Sequence, residues 1–176
     1  MTEPHRPAPP ENHQTRGYRR MLERVRQRLG ELERSAAPRV QKAIEQARDT
    51  AVELGELSRD EAEQIAAYVR RDLQDAAHYL ATTRGELREW FLFDLSLIEE
   101  RLLDMFRLAA DQTRLELLEL EQRTLAAGAY HTGEVTGIGT LRCTGCDKLL
   151  HFHRPARIPP CAACRGTVFV RPDDST

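Results

Sequence analysis

The chain has 176 residues, 40% of them hydrophobic and 31% charged, with a formal net charge of −2. About half of it is Ala, Glu, Leu, Arg or Lys, a composition of long helices that excludes an all-β sandwich or barrel, a collagen-like chain and a wholly disordered one. A near-neutral balance removes bulk attraction to nucleic acid, and the most apolar stretch, Leu87 to Leu108, holds eight charges in 22 residues, too many for a membrane span.

Residues 1–16 contain Pro4, Pro7, Pro9 and Pro10 and no periodic apolar pattern. They read as a disordered tail without the apolar run of a secretory signal, so a cytoplasmic location is expected. From residue 17 the pattern turns helical. Tyr18, Leu22, Val25, Leu29 and Leu32 recur at spacings of 4, 3, 4 and 3, a heptad seam. Ser35 and Pro38 punctuate the chain, and Pro suits a first helical turn. Val40, Ile44, Ala47, Ala51 and Leu54 repeat the spacing, and Gly55 is placed to cap that helix.

Ser58-Arg59-Asp60-Glu61 has the form of a capping box, in which Ser and Glu satisfy each other's backbone N–H groups. It opens a helix whose stripe is Ile65, Val69, Leu73, Ala76 and Leu80, and Thr82 to Gly85 predicts a break. A fourth segment then runs from Glu86 towards Ala127, with Phe91, Leu95, Ile98, Leu102, Met105 and Ala109 in heptad register. Unbroken, it would be roughly 60 Å long at about 1.5 Å per residue. Trp90 to Phe93 is apolar on every side, so several neighbours must bury it; a bundle core is the expectation, a homodimer seam the alternative. Residues 17–48 carry nine basic and four acidic groups, residues 49–128 nine and eighteen, so the basic helices are expected to lie along the acidic ones.

The composition changes near Gly128 to Gly133. All four cysteines follow, as Cys143-Thr-Gly-Cys146 and Cys161-Ala-Ala-Cys164 with 14 residues between the pairs. Each such turn presents two sulfurs to one ion, and two turns complete a tetrahedron. Thiolates are soft ligands that select zinc or iron over magnesium or calcium. One structural Zn²⁺ on Cys143, Cys146, Cys161 and Cys164 is the expectation, with iron as the alternative that four thiolates also admit. Disulfides and a redox pair are disfavoured, since the chain reads as cytosolic and no βαβ pattern surrounds either pair. Alternation over Leu149 to His153 and the β-branched, aromatic run Thr167 to Val170 predict strands. His131, His151 and His153 are expected on strand surfaces beside a complete ligand set, His78 on a helix, and His5 and His13 in the tail.

The expected fold is therefore mainly α: long amphipathic helices in an antiparallel bundle or coiled coil over residues 17–128, a small zinc ribbon over 129–171, and a flexible end at 172–176. The run Tyr130-His131-Thr132-Gly133-Glu134-Val135-Thr136-Gly137-Ile138-Gly139, leading into Cys143-x-x-Cys146, resembles the YbeL-like bacterial zinc-ribbon proteins. Gly55-Glu56-Leu57-Ser58-Arg59 and Val69-Arg70-Arg71-Asp72-Leu73 share the resemblance, which extends over about residues 18–171. It implies a helical N-terminal region, a zinc ribbon on the four cysteines and fold-determining roles for Gly133, Glu134, Gly137 and Gly139, and it brings no activity with it.

Function follows from what the sequence concentrates. It has no Gly-rich phosphate loop, nucleophile elbow or His-Glu metal helix, and adjacent carboxylates such as Glu99-Glu100 do not converge on a helix. The expectation is a non-enzymatic interaction or adaptor protein. Its partner would be another protein or a further copy of the helical domain. A transcription- or nucleic-acid-associated regulator is the alternative. It would act through the helical hairpin and the zinc ribbon; direct nucleic-acid contact would draw on six basic against two acidic residues in 129–171, but the −2 of a four-thiolate zinc centre halves that excess, and nucleic acid is not favoured.

Overall fold

A computed structural model describes residues 12–31, 39–82, 86–119 and 128–172. Five helices precede six short strands: α1 His13–Glu31, α2 Arg39–Glu53, α3 Arg59–Thr82, α4 Leu87–Phe91, α5 Glu100–Glu119, then β1 Tyr130–His131, β2 Val135–Thr136, β3 Gly139–Cys143, β4 Leu149–Phe152, β5 Ala156–Arg157 and β6 Val168–Val170. None of the described helices is long and apolar enough to cross a membrane.

The heptad positions are spent on the chain's own core. Tyr18, Leu22, Val25 and Leu29 of α1 are buried with Val40, Ile44, Ala47 and Ala51 of α2 and Ile65, Val69, Leu73 and Ala76 of α3. Neighbouring long helices run antiparallel: the Arg39 guanidinium at the start of α2 donates to the Leu29 carbonyl at the end of α1, and Arg24 pairs with Glu56 beyond the end of α2 at 2.7 Å. Leu54 departs from its expected stripe and is 63% exposed, because the helix ends there. Gly55, at φ +67°, receives the turn, and the Glu56 N–H returns to the Ala51 carbonyl at 3.0 Å. The capping box forms: Ser58 N–H donates to Glu61 at 2.9 Å, and Glu61 N–H to Ser58 Oγ at 3.1 Å.

Expected basic-to-acidic alignment appears as cross-helix pairs, Arg48 with Glu63 at 3.1 Å and Arg19 with Glu99, although Arg101–Glu23 runs the opposite way. Glu116 of α5 has a further role. Its carboxylate is 5% exposed and accepts from the Arg39 and Val40 N–H groups at 2.9 and 3.0 Å, capping α2 from another helix where the dipole favours an anion.

Two expectations need correction. The tail expected over residues 1–16 lies outside the described residues as far as residue 11, but His13 to Arg16 already belong to α1; Asn12 caps it, its side chain accepting from Thr15 N–H at 2.9 Å. The expected break reaches residues 83–85, and the tail end reaches 173–176, both outside the described residues. The continuous helix from Glu86 does not form: α4 stops at Leu92, at φ 59°, and Asp94 accepts from Ser96 N–H to start a 3-10 turn over Leu95–Leu97. The aromatics explain the break. Trp90 stacks on Phe106 of α5 at 5.6 Å and Phe91 is fully buried, whereas Phe93 must turn the other way to meet His151 of β4 and His153 just after it. A straight helix could not serve both destinations.

The strands form an antiparallel sheet in the order β1-β6-β3-β4 and a second pair, β2-β5. Tyr130, Leu141, Phe152, Ile158 and Phe169 make its core together with Cys143 and Cys161. Val135 and Ile138 instead join the helical core. The segment between β1 and β3 is thus threaded into the bundle, and ribbon and helices share one packing unit.

Candidate metal centre

Two turns of the same design bring the cysteines together. In the first, Cys143 N–H donates to the Lys148 carbonyl and Asp147 N–H to the Cys143 carbonyl, each at 2.9 Å. In the second, Cys161 N–H donates to the Gly166 carbonyl at 2.9 Å and Arg165 N–H to the Cys161 carbonyl at 2.8 Å. Asp147 and Arg165 occupy equivalent positions and both take the left-handed conformation, at φ 60° and 61°. Each turn contributes one buried thiol, Cys143 or Cys161, and one exposed thiol, Cys146 or Cys164.

All four Sγ atoms lie within 4.8 Å of one another, with Cys143 to Cys164 at 3.5 Å and Cys146 to Cys161 at 3.6 Å. A zinc tetrahedron with Zn–S of about 2.3 Å requires sulfurs about 3.8 Å apart, so the group fits a metal ion. A Cβ at Gly166 would stand 3.1 Å from Cys143 Sγ and 3.2 Å from Cys164 Sγ, which keeps that side of the cluster free of side chain. Backbone N–H groups of Cys164 and Ala163 pull the Cys161 thiol down to about 6, predisposing it to the thiolate a metal needs. At Cys146 the Lys148 N–H acts in the same sense, but hydrogen bonding with the other cysteines outweighs it and pushes the thiol up to about 12. Among the described residues the cluster contains no histidine. His131 lies beside Glu134, 3.6 Å away. His151 and His153 lie against Phe93, with His151 Nδ1 2.8 Å from Thr140 Oγ1. His78 lies in α3, and His13, far from the ribbon's sulfurs in sequence, pairs with Glu61 at 3.5 Å.

Residues 27–173 match the zinc-ribbon containing domain family. The chain belongs to that family. It is 33% identical over 159 residues to a protein printed as "Uncharacterized protein YbeL" from Escherichia coli K12, covering 88% of this chain and 92% of the relative, and the O157:H7 counterpart matches equally. No solved structure matches. Cysteine positions and family membership together make this a metal-binding zinc-ribbon protein.

Sequence reasoning missed the group that seats this ribbon on the bundle. Asp72 and Asp75 of α3 are 0% and 5% exposed. Asp72 accepts from Tyr18 Oη at 2.5 Å, Gly137 N–H at 2.7 Å and Arg171 Nη2 at 3.3 Å. Asp75 accepts from Tyr130 Oη. Arg171 also donates to Tyr130 Oη at 3.1 Å and the Thr140 carbonyl at 3.2 Å, and lies over the Trp90 ring at 4.6 Å. Arg71 covers the other face of the site, 3.9 Å from the Tyr130 ring and 2.5 Å from Glu134.

Burial first, then the Asp72 charge, drives the Tyr18 phenol well above its usual range. Burial does the same at Tyr130, against Arg171 but with Asp72 and Asp75. Burial opposes the Arg171 charge, and Tyr130, Asp72 and Asp75 overcome that and hold it protonated. A signal was present in α3, where Asp72 and Asp75 interrupt the apolar stripe between Val69 and Ala76. The glycines quoted for the family resemblance fit the same site: a Cβ at Gly137 would collide with the Tyr18 hydroxyl, and one at Gly139, at φ +139°, with Arg171.

Proposed function

We propose that the chain is a non-enzymatic interaction protein of the cytoplasm, in which one structural zinc ion on Cys143, Cys146, Cys161 and Cys164 stabilises a ribbon mounted on a helical adaptor. The observation that carries this reading is the four-thiolate cluster. Four protein ligands complete a tetrahedral shell and leave no position for water or substrate, so such a metal stabilises structure. A stripe on α5 supports the adaptor part: Leu108, Leu115 and Leu118 are 47%, 40% and 56% exposed, an apolar line that a protein partner or second copy would cover.

The test is metal analysis, mass spectrometry and nucleic-acid quantitation on tagged protein purified from its own cells, with and without nuclease, beside Cys143→Ser/Cys146→Ser. One zinc per chain and a nuclease-resistant protein partner or homo-oligomer that depends on the cysteines are expected. Turnover of a substrate panel lost in Cys143→Ser, or retention that nuclease abolishes, would replace the reading with an enzyme or a nucleic-acid-associated regulator.

A further inference from the structure

Two imidazoles outside the cysteine cluster are held ready for a metal. Thr140 of β3 and His151 of β4 face each other across the strand pair, and Thr140 Oγ1 lies 2.8 Å from His151 Nδ1. The same hydroxyl donates to the Phe91 carbonyl. A hydroxyl has one proton to give, so towards His151 it accepts, and Nδ1 carries the ring's N–H. In the neutral ring the lone pair is then on Nε2. A hydrogen bond that fixes one ring nitrogen and frees the other is the support that metal-bound histidines have.

His153 follows two residues later, just beyond the end of β4. Alternate residues of a strand share a face, and Phe93 meets both rings, with centroids 5.5 and 4.6 Å away and planes at 65° and 70°. One aromatic side chain thus orders both imidazoles, which reduces the ordering cost that a bound ion must meet. Both line a cavity of about 810 Å³ between α1, the start of α5 and the chain from β4 to β5. His151 is exposed and His153 half-buried, so an ion and its water can reach them. Glu99 lines the same cavity but is paired with Arg19, which leaves the imidazoles as the ligands.

We infer that His151 Nε2 and a ring nitrogen of His153 form a second metal site, which takes a divalent nickel, copper or zinc ion with water in its remaining positions. Neutral imidazole suits these ions, whereas magnesium and calcium require oxygen. Two protein ligands leave the ion open to exchange, unlike the closed four-thiolate centre. The site stands apart from the interaction-protein reading and neither needs the other.

The probe is Ni²⁺, titrated by calorimetry into the untagged, metal-loaded full chain at about pH 7.5, above the usual histidine range. Imidazole ¹H–¹⁵N spectra are recorded beside it, and release of the thiolate-bound metal is followed with a chromogenic chelator. One Ni²⁺ per chain is expected, with His151 in the Nδ1–H tautomer beforehand and its signals and those of His153 broadened afterwards. His151→Gln and His153→Gln should each weaken binding by about tenfold or more, and so should Thr140→Val, which removes the acceptor behind the ring. Thr140→Ser keeps that acceptor and should bind as the native chain does. His13→Gln and His131→Gln should change nothing. Melting temperatures verify folding, and His151→Gln, at an exposed position, keeps the test decisive if Thr140→Val does not fold. No uptake, uptake that survives the double variant His151→Gln/His153→Gln, or equal uptake of Mg²⁺ overturns the proposal. An Nε2–H tautomer at His151 does so too, as does nickel uptake that releases the thiolate-bound metal in step.

Discussion

Arg171 donates to Asp72 across 3.3 Å and a sequence separation of 99 residues. The arginine follows β6, the last strand of the ribbon, and the aspartate lies within α3. Both are almost fully buried, so their attraction offsets part of the cost of taking two charged groups out of water. Removing one partner leaves the other with a more distant opposite charge, Arg71 at 3.7 Å from Asp72 or Asp75 at 3.9 Å from Arg171. Arg171→Met is expected to cost about 3–5 kcal/mol in urea denaturation. Asp72→Asn combined with Arg171→Met should cost clearly less than the two single effects added together. Strict additivity would show that the pair is not coupled.

Glu116 makes a second long-range contact, capping α2 from α5. Glu116→Ala removes the acceptor from two N–H groups and should cost about 1–2 kcal/mol, in the range of lost helix caps. Glu116→Gln keeps an acceptor without the charge and should fall between. Equal melting curves for all three proteins would remove the cap from the account.

The metal turns carry their own signature. Asp147 and Arg165 hold a conformation that costs most L-residues about 1–2 kcal/mol, part of which glycine's greater entropy loss offsets. Arg165→Gly should therefore stabilise the metal-loaded protein by about 0.5–1 kcal/mol. Asp147→Gly should gain less, because aspartate tolerates that conformation better. Destabilisation in both would mean the side chains support the turns.

His151 and His153 are both held below the usual histidine range, His151 by burial and His153 by burial and then by His151. The unfolded chain therefore takes up protons first as pH falls. Stability contributed by the neutral rings is present above about pH 6.5 and is lost as pH drops from there through the lowered folded-state values. Replacing both histidines with glutamine should flatten stability against pH across that window, with metal content checked at each point. An unchanged slope would assign the pH dependence elsewhere.

The helical stripes and the capping box were legible because both are written in local spacing: Ser58 and Glu61 need only three residues to find each other. The metal ligands were legible for the same reason, two C-x-x-C turns each carrying its own geometry. Leu92 was not, because its left-handed turn follows from where Phe91 and Phe93 must go, one into the bundle and one onto β4. Asp72 with Arg171 was not either. Acidic residues in a helix usually face water, and only the threaded segment around Gly137, with the end of β6, turns these inward.

That buried group links the metal to the helices. Thr144, inside the first cysteine turn, donates to the Val168 carbonyl of β6 through its N–H at 3.1 Å and its hydroxyl at 3.0 Å. β6 in turn delivers Arg171 to Asp72. The direct test is thermal melting by helical circular dichroism of the metal-loaded and chelated protein, each with and without Arg171→Met. Chelation is expected to lower the helical midpoint of the native chain markedly, and that of Arg171→Met much less, since its lock is already open. A helical midpoint that ignores chelation while all four thiols become reactive would contradict the coupling of ribbon and bundle.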